Sequence, residues 1–223
     1  ATPHGLRFTL RLPGEKVSVA SALVGRYNVP NILAAAAAAH SQGVSAEAIA
    51  AGVAAVQGVP GRMEYVAGGQ PFTVIIDFAH TANALDAALR AAREFTAGRL
   101  IAVYGCAGLR DVAKRPVMGE ASGRLADLTV LTAEDPRTES VDAIIAQIAA
   151  GCRRAGRAEG EGYLRVPDRG EAIAEALSRA QPGDTVMICG KGHERSMCFG
   201  TTEYPWSDHE ATVAALRRLG YSA

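Results

Sequence analysis

The sequence predicts an α/β protein built on an open, mostly parallel β-sheet. From residue 72 onward, short apolar segments alternate with amphipathic segments of helical length, which is typical of βαβ units. Within two of these segments, Thr73–Ile76 and Leu128–Leu131, apolar residues do not alternate with charged ones, as expected of strands buried on both faces. The third observation is a set of polar loops that directly follow four of the apolar segments.

Each apolar or amphipathic segment predicts one element of this fold. We predict strands at 72–77, 99–104, 128–132, 162–166 and 184–189, and helices at 82–95, 115–125, 140–155, 169–180 and 208–219. Residues 197–204 predict a short hairpin before the last helix. The alternation of strand and helix therefore extends over most of the chain.

The first part of the chain has a different organisation. Alternating apolar residues predict a strand at 6–12, and Pro13-Gly14 predicts a turn that leads into a second strand at 17–24. An alanine-rich helix is expected at about 30–41, and a second helix, capped by Ser45, is expected to reach about Val56. This part therefore consists of two strands followed by two helices, whereas the rest of the chain alternates strands with helices.

The best candidate for a linker is Gly58-Val59-Pro60-Gly61, because two glycines and a proline separate these two patterns. We therefore predict one domain at 1–58 and a second at 59–223. The chain begins Ala-Thr-Pro-His without a methionine and in mid-pattern, so we expect it to be part of a longer protein.

Composition excludes several classes of function. Lys and Arg total 23, as do Asp and Glu, so the formal net charge is zero and no basic footprint for nucleic acid or an anionic membrane is predicted. No apolar run of about 18 residues predicts insertion into a membrane. The four cysteines form no CxxC pair, which favours a reducing cytoplasm: Cys106, Cys152, Cys189 and Cys198.

The polar loops predict one ligand site. They are Asp77–His80, Gly105–Asp111, Glu134–Arg137 and Gly190–Glu194. Loops that leave the carboxyl ends of parallel strands converge on one crevice, where ligands bind. Their charges suit a ligand that is partly anionic and partly zwitterionic.

Three of these loops carry groups that suit an amino acid or another charged ligand. In Glu134-Asp135-Pro136-Arg137, the guanidinium suits a carboxylate and the acidic side chains suit an ammonium group. The loop that ends in Arg110 and Asp111 concentrates more charge than a purely structural loop usually does. In the last loop, Gly190 allows close backbone approach, and Glu194 can hold a substrate amine.

Other polar residues have two interpretations each. Asn28 and Asn31 could cap a helix, or their amides could contact a planar heterocycle such as adenine. Arg62 could be a solvated charge or could reach a ribose or phosphate from the linker. Asp77 could cap the next helix or bind ribose hydroxyls, with His80 beside it.

Several catalytic motifs are absent from the sequence. No segment has the GxxxxGK[ST] spacing of a P-loop, so the loop Gly190–Glu194 is not one. The His and Cys residues have no recognisable zinc spacing, and no Ser–His–Asp set can be assigned.

Six motifs in succession resemble one enzyme family. They are Gly-Arg-Tyr-Asn-x-x-Asn, Gly-Arg-Met-Glu, Asp-Phe-Ala-His-Thr, Gly-Cys-x-Gly-x-Arg-Asp-x-x-Lys-Arg-Pro, Asp-Pro-Arg-Thr-Glu and Gly-Lys-Gly-His-Glu. The order of these motifs and their residues are similar to those of the Mur ligases, and among them to the enzymes that make UDP-N-acetylmuramoyl-tripeptide. The resemblance extends from Gly25 to the segment Trp206–Glu210.

The resemblance implies a Rossmann-like, doubly wound C-terminal domain, preceded by the tail of a central ATPase domain. It implies ATP and Mg²⁺ as cofactors, with the P-loop and the metal ligands upstream of this chain. It implies as partners UDP-N-acetylmuramoyl-dipeptide, a diamino acid, and the remaining N-terminal and central domains. Residues matching nucleotide-contacting positions of the family are Asn28, Asn31, Arg62, Asp77 and His80.

The resemblance also implies the amino-acid site. Residues matching positions that hold the diamino acid are Arg110, Asp135, Arg137, Gly190 and Glu194. The family's Asp-Asn-Pro-Arg is here Glu134-Asp135-Pro136-Arg137, so a carboxylate replaces an amide at Asp135. Arg137 favours a distal carboxylate, as in meso-diaminopimelate, whereas the extra charge of Asp135 favours ornithine or lysine.

Two other functions remain open on the sequence. One is another ligase of the superfamily, such as a folylpolyglutamate or cyanophycin synthetase, against which the Asp-Pro-Arg and Gly-Lys-Gly-His-Glu motifs argue. The other is an amino-acid or nucleotide-binding module without catalysis. A P-loop in the upstream sequence of the parent gene would distinguish the ligases from the module.

Overall fold

The two sequence patterns correspond to two compact units of the structure. The computed structural model describes residues 5–222. The first unit ends at Val59 and the second begins at Pro60, so the boundary lies within the glycine- and proline-containing segment 58–61.

The first unit consists of a hairpin and two helices. Strands β1 (Leu6–Leu12) and β2 (Glu15–Ser21) pair antiparallel, and they are followed by helices α1 (Asn28–Ser41) and α2 (Ala46–Ala55). A small core joins the hairpin to both helices through Leu10, Val19, Ala36 and Ile49. As predicted, the Ser45 side chain caps α2 by accepting a hydrogen bond from the Ala48 N–H.

The second unit contains a six-stranded sheet, which confirms the predicted α/β class. Its strands are β3 (Glu64–Tyr65), β4 (Thr73–Asp77), β5 (Leu100–Tyr104), β6 (Leu128–Leu131), β7 (Tyr163–Arg165) and β8 (Thr185–Cys189). Their order is β3-β4-β8-β5-β6-β7, and all pairs are parallel except β3 with β4. Strand β8, the last of these six in the sequence, therefore lies between β4 and β5, the first two of the parallel strands.

Helices cover both faces of this sheet, so the fold is doubly wound. They are α3 (Ala82–Arg93), α4 (Lys114–Leu125), α5 (Val141–Arg154), α6 (Arg169–Ser178) and α7 (Asp208–Arg218). Helix α4 packs between α3 and α5, whereas α6 packs against α7. Side-chain oxygens accept hydrogen bonds from the first turn of four of these helices, at Thr81, Ser140, Asp168 and Ser207.

Alternate residues of each strand enter the two layers. Val74 and Ile76, for example, belong to one core cluster with Ile173 of α6 and Leu216 of α7. On the other face, the hydroxyl of Tyr104 is hydrogen-bonded to that of Ser122 on α4 at 2.9 Å. Burial on both faces explains why the strands lack the polar alternation of a solvent-exposed sheet.

A buried ion pair fixes two strand ends near the site. Arg169 and Asp208 are both inaccessible to solvent and lie 2.7 Å apart. The same guanidinium donates to the carbonyl oxygens of Ala133, beyond β6, and Cys189, at the end of β8. Removing either partner would leave a buried charge uncompensated, which is strongly destabilising.

A two-stranded hairpin completes the second unit before α7. It consists of β9 (Ser196–Phe199) and β10 (Thr202–Pro205), close to the predicted hairpin. In residues 5–222 no helix is long and apolar enough to span a membrane.

Candidate functional site

The four polar loops meet at the carboxyl ends of β4, β5, β6 and β8, as the parallel sheet predicts. They enclose a cleft of about 590 Å³. Its lining residues are Phe78, His80, Thr81, Ala82, Asn83, Ala107, Arg110, Asp111, Lys114, Glu134, Asp135, Arg137, Gly190 and Glu194. The cleft thus brings together six of the ten predicted site residues: His80, Arg110, Asp135, Arg137, Gly190 and Glu194.

Tight backbone contact positions the loop that carries Arg110. The N–H of Gly108 donates to the carbonyl oxygen of Asp135 at 2.7 Å. A Cβ atom at Gly108 would collide with the backbone carbonyl of Pro136, so glycine is needed for this approach. Below the loop, the buried guanidinium of Arg115 donates to Glu139 at 2.8 Å and 3.0 Å. Arg110 itself is exposed at the mouth of the cleft.

Glu134 is a buried carboxylate on the wall of the cleft. Only 5% of the residue is exposed, and its Oε2 atom has no hydrogen-bond partner among the described residues. Burial raises the pKa of Glu134 to about 7, although the positive charges of Lys114, Arg169 and Lys191 oppose the rise. An unpaired buried acceptor is costly in a folded protein, so its place on a ligand cleft indicates a functional group.

Gly190 makes room for this carboxylate. Its φ of 111° is outside the range that other residues readily adopt. A Cβ atom there would approach Oε2 of Glu134 to 2.9 Å. Gly190 therefore leaves room for the Glu134 carboxylate in the wall of the cleft.

Lys191 connects the loop after β6 with the loop after β8. Its Nζ atom lies 2.8 Å from Oδ1 of Asp135 and 2.8 Å from Oε2 of Glu194. Asp135 Oδ1 also accepts a hydrogen bond from the N–H of Cys198 at 3.0 Å. Both carboxylates predicted to hold an amino acid are therefore already paired with one buried ammonium group.

The β9–β10 hairpin holds Arg137 in an unusual backbone conformation. Arg137 has a φ of 53°, which is uncommon for a residue with a side chain. Its N–H donates to the carbonyl of Cys198 at 3.0 Å, and its own carbonyl accepts from the Gly200 N–H at 2.7 Å. The guanidinium donates to the carbonyl oxygen of Gly108 at 2.9 Å. Arg137 is thereby directed toward the loop that carries Arg110.

The residues predicted to contact nucleotide lie in three different settings. The Asp77 carboxylate accepts from the backbone N–H groups of Met63 at 2.8 Å and Ala79 at 2.9 Å. Burial raises the pKa of Asp77, and these hydrogen bonds oppose the rise. The Asp77 carboxylate thereby joins the segment at Met63 to the end of β4, and Asp77 does not line the cleft. Its role as a ribose ligand stays a prediction.

Arg62 and His80 lie near Phe78 at the edge of the cleft. The Arg62 guanidinium stacks 4.6 Å from the centre of the Phe78 ring. The ring of His80 is 4.5 Å from the same ring, and its Nδ1–H donates to the Phe78 carbonyl at 3.1 Å. Lys114 Nζ donates to the His80 carbonyl at 2.6 Å. Arg62, Phe78 and His80 thus form a cluster of one guanidinium and two aromatic rings, and the rings are inclined at 58° to each other.

Asn28 and Asn31 belong to the first unit. The Asn28 amide donates to the carbonyl of Val24 at 2.7 Å, and the Asn31 amide donates to Oδ1 of Asn28 at 3.1 Å. Neither side chain accepts a hydrogen bond from a backbone N–H of the first turn of α1, whose cap residue, Tyr27, makes no side-chain capping bond. The capping interpretation is therefore wrong, and the adenine interpretation stays a prediction.

Sequence analysis did not single out every residue that shapes the cleft. Glu134 was recognised only with Asp135 as an acidic side chain of one loop, and Lys191 only as part of a glycine-bearing loop. Lys114 was recognised only as the lysine of the motif Gly-Cys-x-Gly-x-Arg-Asp-x-x-Lys-Arg-Pro. Their importance depends on burial and on partners far away in the chain, which no local pattern records. Among residues 5–222, no group of three or more His, Cys, Asp or Glu side chains is arranged to hold a metal ion.

Together, the doubly wound fold and a charged cleft at its strand ends define an α/β ligand-binding domain. Residues 61–192 match the family described as "Mur ligase, glutamate ligase domain". The chain is 47% identical over 221 residues to the UDP-N-acetylmuramyl-tripeptide synthetase of Roseiflexus sp. (strain RS-1), covering 99% of this chain and 43% of that protein.

Two further comparisons agree with this match. The chain is 42% identical over 226 residues to the UDP-N-acetylmuramoyl-L-alanyl-D-glutamate–2,6-diaminopimelate ligase of Geobacter metallireducens, covering 96% of this chain and 44% of that protein. A solved structure of a ligase with the same name superimposes with a TM-score of 0.70 at 32% identity, covering 98% of this chain and 44% of that one. The chain belongs to the Mur ligase family, and it spans less than half the length of these relatives.

Proposed function

We propose that this chain is the amino-acid-binding part of an ATP-dependent ligase that makes peptidoglycan precursors. The complete enzyme would add a diamino acid, with meso-diaminopimelate favoured over ornithine and lysine, to UDP-N-acetylmuramoyl-L-Ala-D-Glu. Support comes from the names of relatives that are 42–47% identical over nearly all of the chain. We also propose a cytoplasmic location, which four free cysteines favour.

The observation that carries this proposal is the distribution of charge in the cleft. Arg110 and Arg137 supply guanidinium groups, which bind carboxylates in a bidentate manner. Glu134 supplies an unpaired carboxylate on the same cleft, which suits an ammonium group. A diamino acid carries carboxylate and ammonium groups a few bonds apart, so it matches both kinds of side chain.

In the proposed reaction, ATP supplies the phosphate that converts the terminal carboxylate of the dipeptide substrate to an acyl phosphate. The residues of this chain would hold the amino acid so that its α-amine can attack the carbonyl carbon of the acyl phosphate, from which phosphate then leaves. They would accelerate this attack by positioning alone. We propose that Arg62 and His80, beside the cleft, contact the nucleotide, as does Asp77. For Asn28 and Asn31 we propose a contact with the adenine base. We propose that the Mg²⁺ ligands lie in the rest of the proposed longer protein.

The test of this proposal is Arg137→Ala in the longer ligase that contains this chain. A charge-assisted hydrogen bond to a carboxylate is worth roughly 1.5–3 kcal/mol, so kcat/KM for meso-diaminopimelate should fall by about ten- to a hundredfold. The KM for ATP should change little. Phosphate release at varied amino-acid concentration measures kcat/KM for meso-diaminopimelate, and phosphate release at varied ATP concentration measures the KM for ATP.

A matched control is Arg179→Ala, which removes an exposed arginine that pairs with Glu175 on α6, away from the cleft lining. It should leave kcat/KM unchanged. An unchanged kcat/KM for meso-diaminopimelate in Arg137→Ala would contradict the proposed site.

A further inference from the structure

We propose that Lys191 sets the class of amino acid that the cleft accepts, because it cancels the charge of Asp135. This inference rests on the proposed function and deepens it. With Asp135 neutralised, the cleft selects a side chain that ends in both an amine and a carboxylate. A side chain that ends in a bare ammonium group, as in lysine, is disfavoured.

The contacts of Lys191 support this role. Lys191 is 1% exposed, whereas the side chains of its partners Asp135 and Glu194 are 15% and 40% exposed. The ammonium group therefore lies behind the two carboxylates and not in the cleft itself. Its distances to both, 2.8 Å, are those of charge-assisted hydrogen bonds.

The opposite charges of the cleft remain unpaired. Arg110, Lys114 and Arg137 line it, and none of them forms an ion pair with the residues the structure describes. Lys114 and Arg137 donate only to neutral carbonyl oxygens, those of His80 and Gly108. A second carboxylate on the ligand therefore finds positive charge that no ion pair occupies. For ammonium groups, Glu134 and the exposed Asp111 remain unpaired in the cleft lining, whereas Asp135 and Glu194 are already paired with Lys191.

This arrangement explains how a carboxylate can replace an amide at Asp135. Its Oδ1 accepts hydrogen bonds from Lys191 and from the Cys198 N–H, and the oxygen of an asparagine amide could accept both. Asp135→Asn should therefore be tolerated. In contrast, Lys191→Met should expose two uncompensated carboxylates to the ligand.

The test compares binding of meso-diaminopimelate and L-lysine to the 223-residue chain by NMR titration, which tolerates weak affinity. For Asp135→Asn, Kd for meso-diaminopimelate should stay within about threefold of the unaltered chain. For Lys191→Met, that Kd should rise by about tenfold or more, equivalent to about 1.4 kcal/mol, whereas Kd for L-lysine should not rise. In the double variant Lys191→Met, Asp135→Asn, binding of meso-diaminopimelate should recover by about threefold or more, because one of the exposed charges is gone.

Each contrary result has a distinct meaning. A purely structural role for Lys191 would weaken both ligands equally in Lys191→Met, which would overturn the inference. A tenfold loss of meso-diaminopimelate binding in Asp135→Asn would also overturn it, and this variant decides the matter if Lys191→Met does not fold. If neither amino acid binds to the unaltered cleft, the proposed function itself fails.

Discussion

Burial of the Glu134 carboxyl group couples the second unit to pH. In the folded chain the pKa of Glu134 is raised to about 7, whereas an unfolded glutamate titrates near its ordinary value of about 4.3. The folded state therefore binds the proton more tightly. The stability that this proton contributes is fully present at low pH and is lost as the pH rises through about 7.

We expect Glu134→Gln to remove this contribution. Between pH 5 and pH 8, the free energy of unfolding of the unaltered chain should fall, relative to the variant, by at most about 3 kcal/mol. Urea unfolding followed by the fluorescence of Trp206 measures this, because Trp206 is the only tryptophan and packs against the core of the second unit. Parallel pH profiles for the two proteins would show that Glu134 does not titrate in this range.

For individual residues, the sequence predicts which charged groups lie in the cleft better than it predicts the ion pairs that they form. Arg110, Arg137 and Glu194 were predicted site residues because they follow strand ends, and the cleft contains them. The Lys191–Asp135 pair was not predicted, since the two residues lie on separate loops that meet only when β8 enters the sheet beside β4 and β5. Similarly, the raised pKa of Glu134 depends on burial, which no loop motif encodes.

At the scale of elements, hydrophobic pattern predicts most of the fold. The five parallel strands agree with the predicted ranges to within a residue at each end, because they are bounded by turn residues and four of them are almost completely buried. The antiparallel strand β3 was not predicted, since two residues are too few to show a period. The position of β8 between β4 and β5 was not predicted either, because local pattern contains no information on strand order.

The position of Arg137 in the site depends on contacts between loops and not only on the helices and strands. The loop after β5 contacts the loop after β6 through the hydrogen bond from Gly108 to the Asp135 carbonyl, and Arg137 bridges back to the Gly108 carbonyl. The β9–β10 hairpin in turn supports Arg137 through backbone hydrogen bonds on both sides. Three separate segments thus hold one guanidinium, which favours precise recognition of a planar group such as a carboxylate.

At the scale of the whole molecule, the two units differ in how much core each possesses. The cluster of the second unit that packs α6 and α7 on the sheet contains sixteen buried residues by itself, whereas the cluster of the first unit contains Leu10, Val19, Ala36 and Ile49. Helix α1 buries only Ile32 and Ala36, and Leu33 is among its exposed residues. A small core supplies little stability against local opening.

We therefore expect faster amide hydrogen exchange in α1 and α2 than in β4 and β8. Exchange measured by mass spectrometry at neutral pH compares the two units within one sample. The buried central strands β5 and β6 serve as an internal reference, since they should be protected at least as strongly as β4 and β8. Equal and strong protection of α1, α2 and the central strands in a monomer would show that the first unit is as stable as the second.

The cleft at the strand ends is proposed to bind a diamino acid. Titration of the ¹⁵N-labelled chain with meso-diaminopimelate tests it most directly, because backbone amides at Gly108, Gly190 and Cys198 surround the proposed contacts. We predict saturable shifts concentrated at these amides, with no comparable change at the distant turn residue Gly160. Absence of any saturable shift, or shifts confined to residues outside the cleft, would contradict the account.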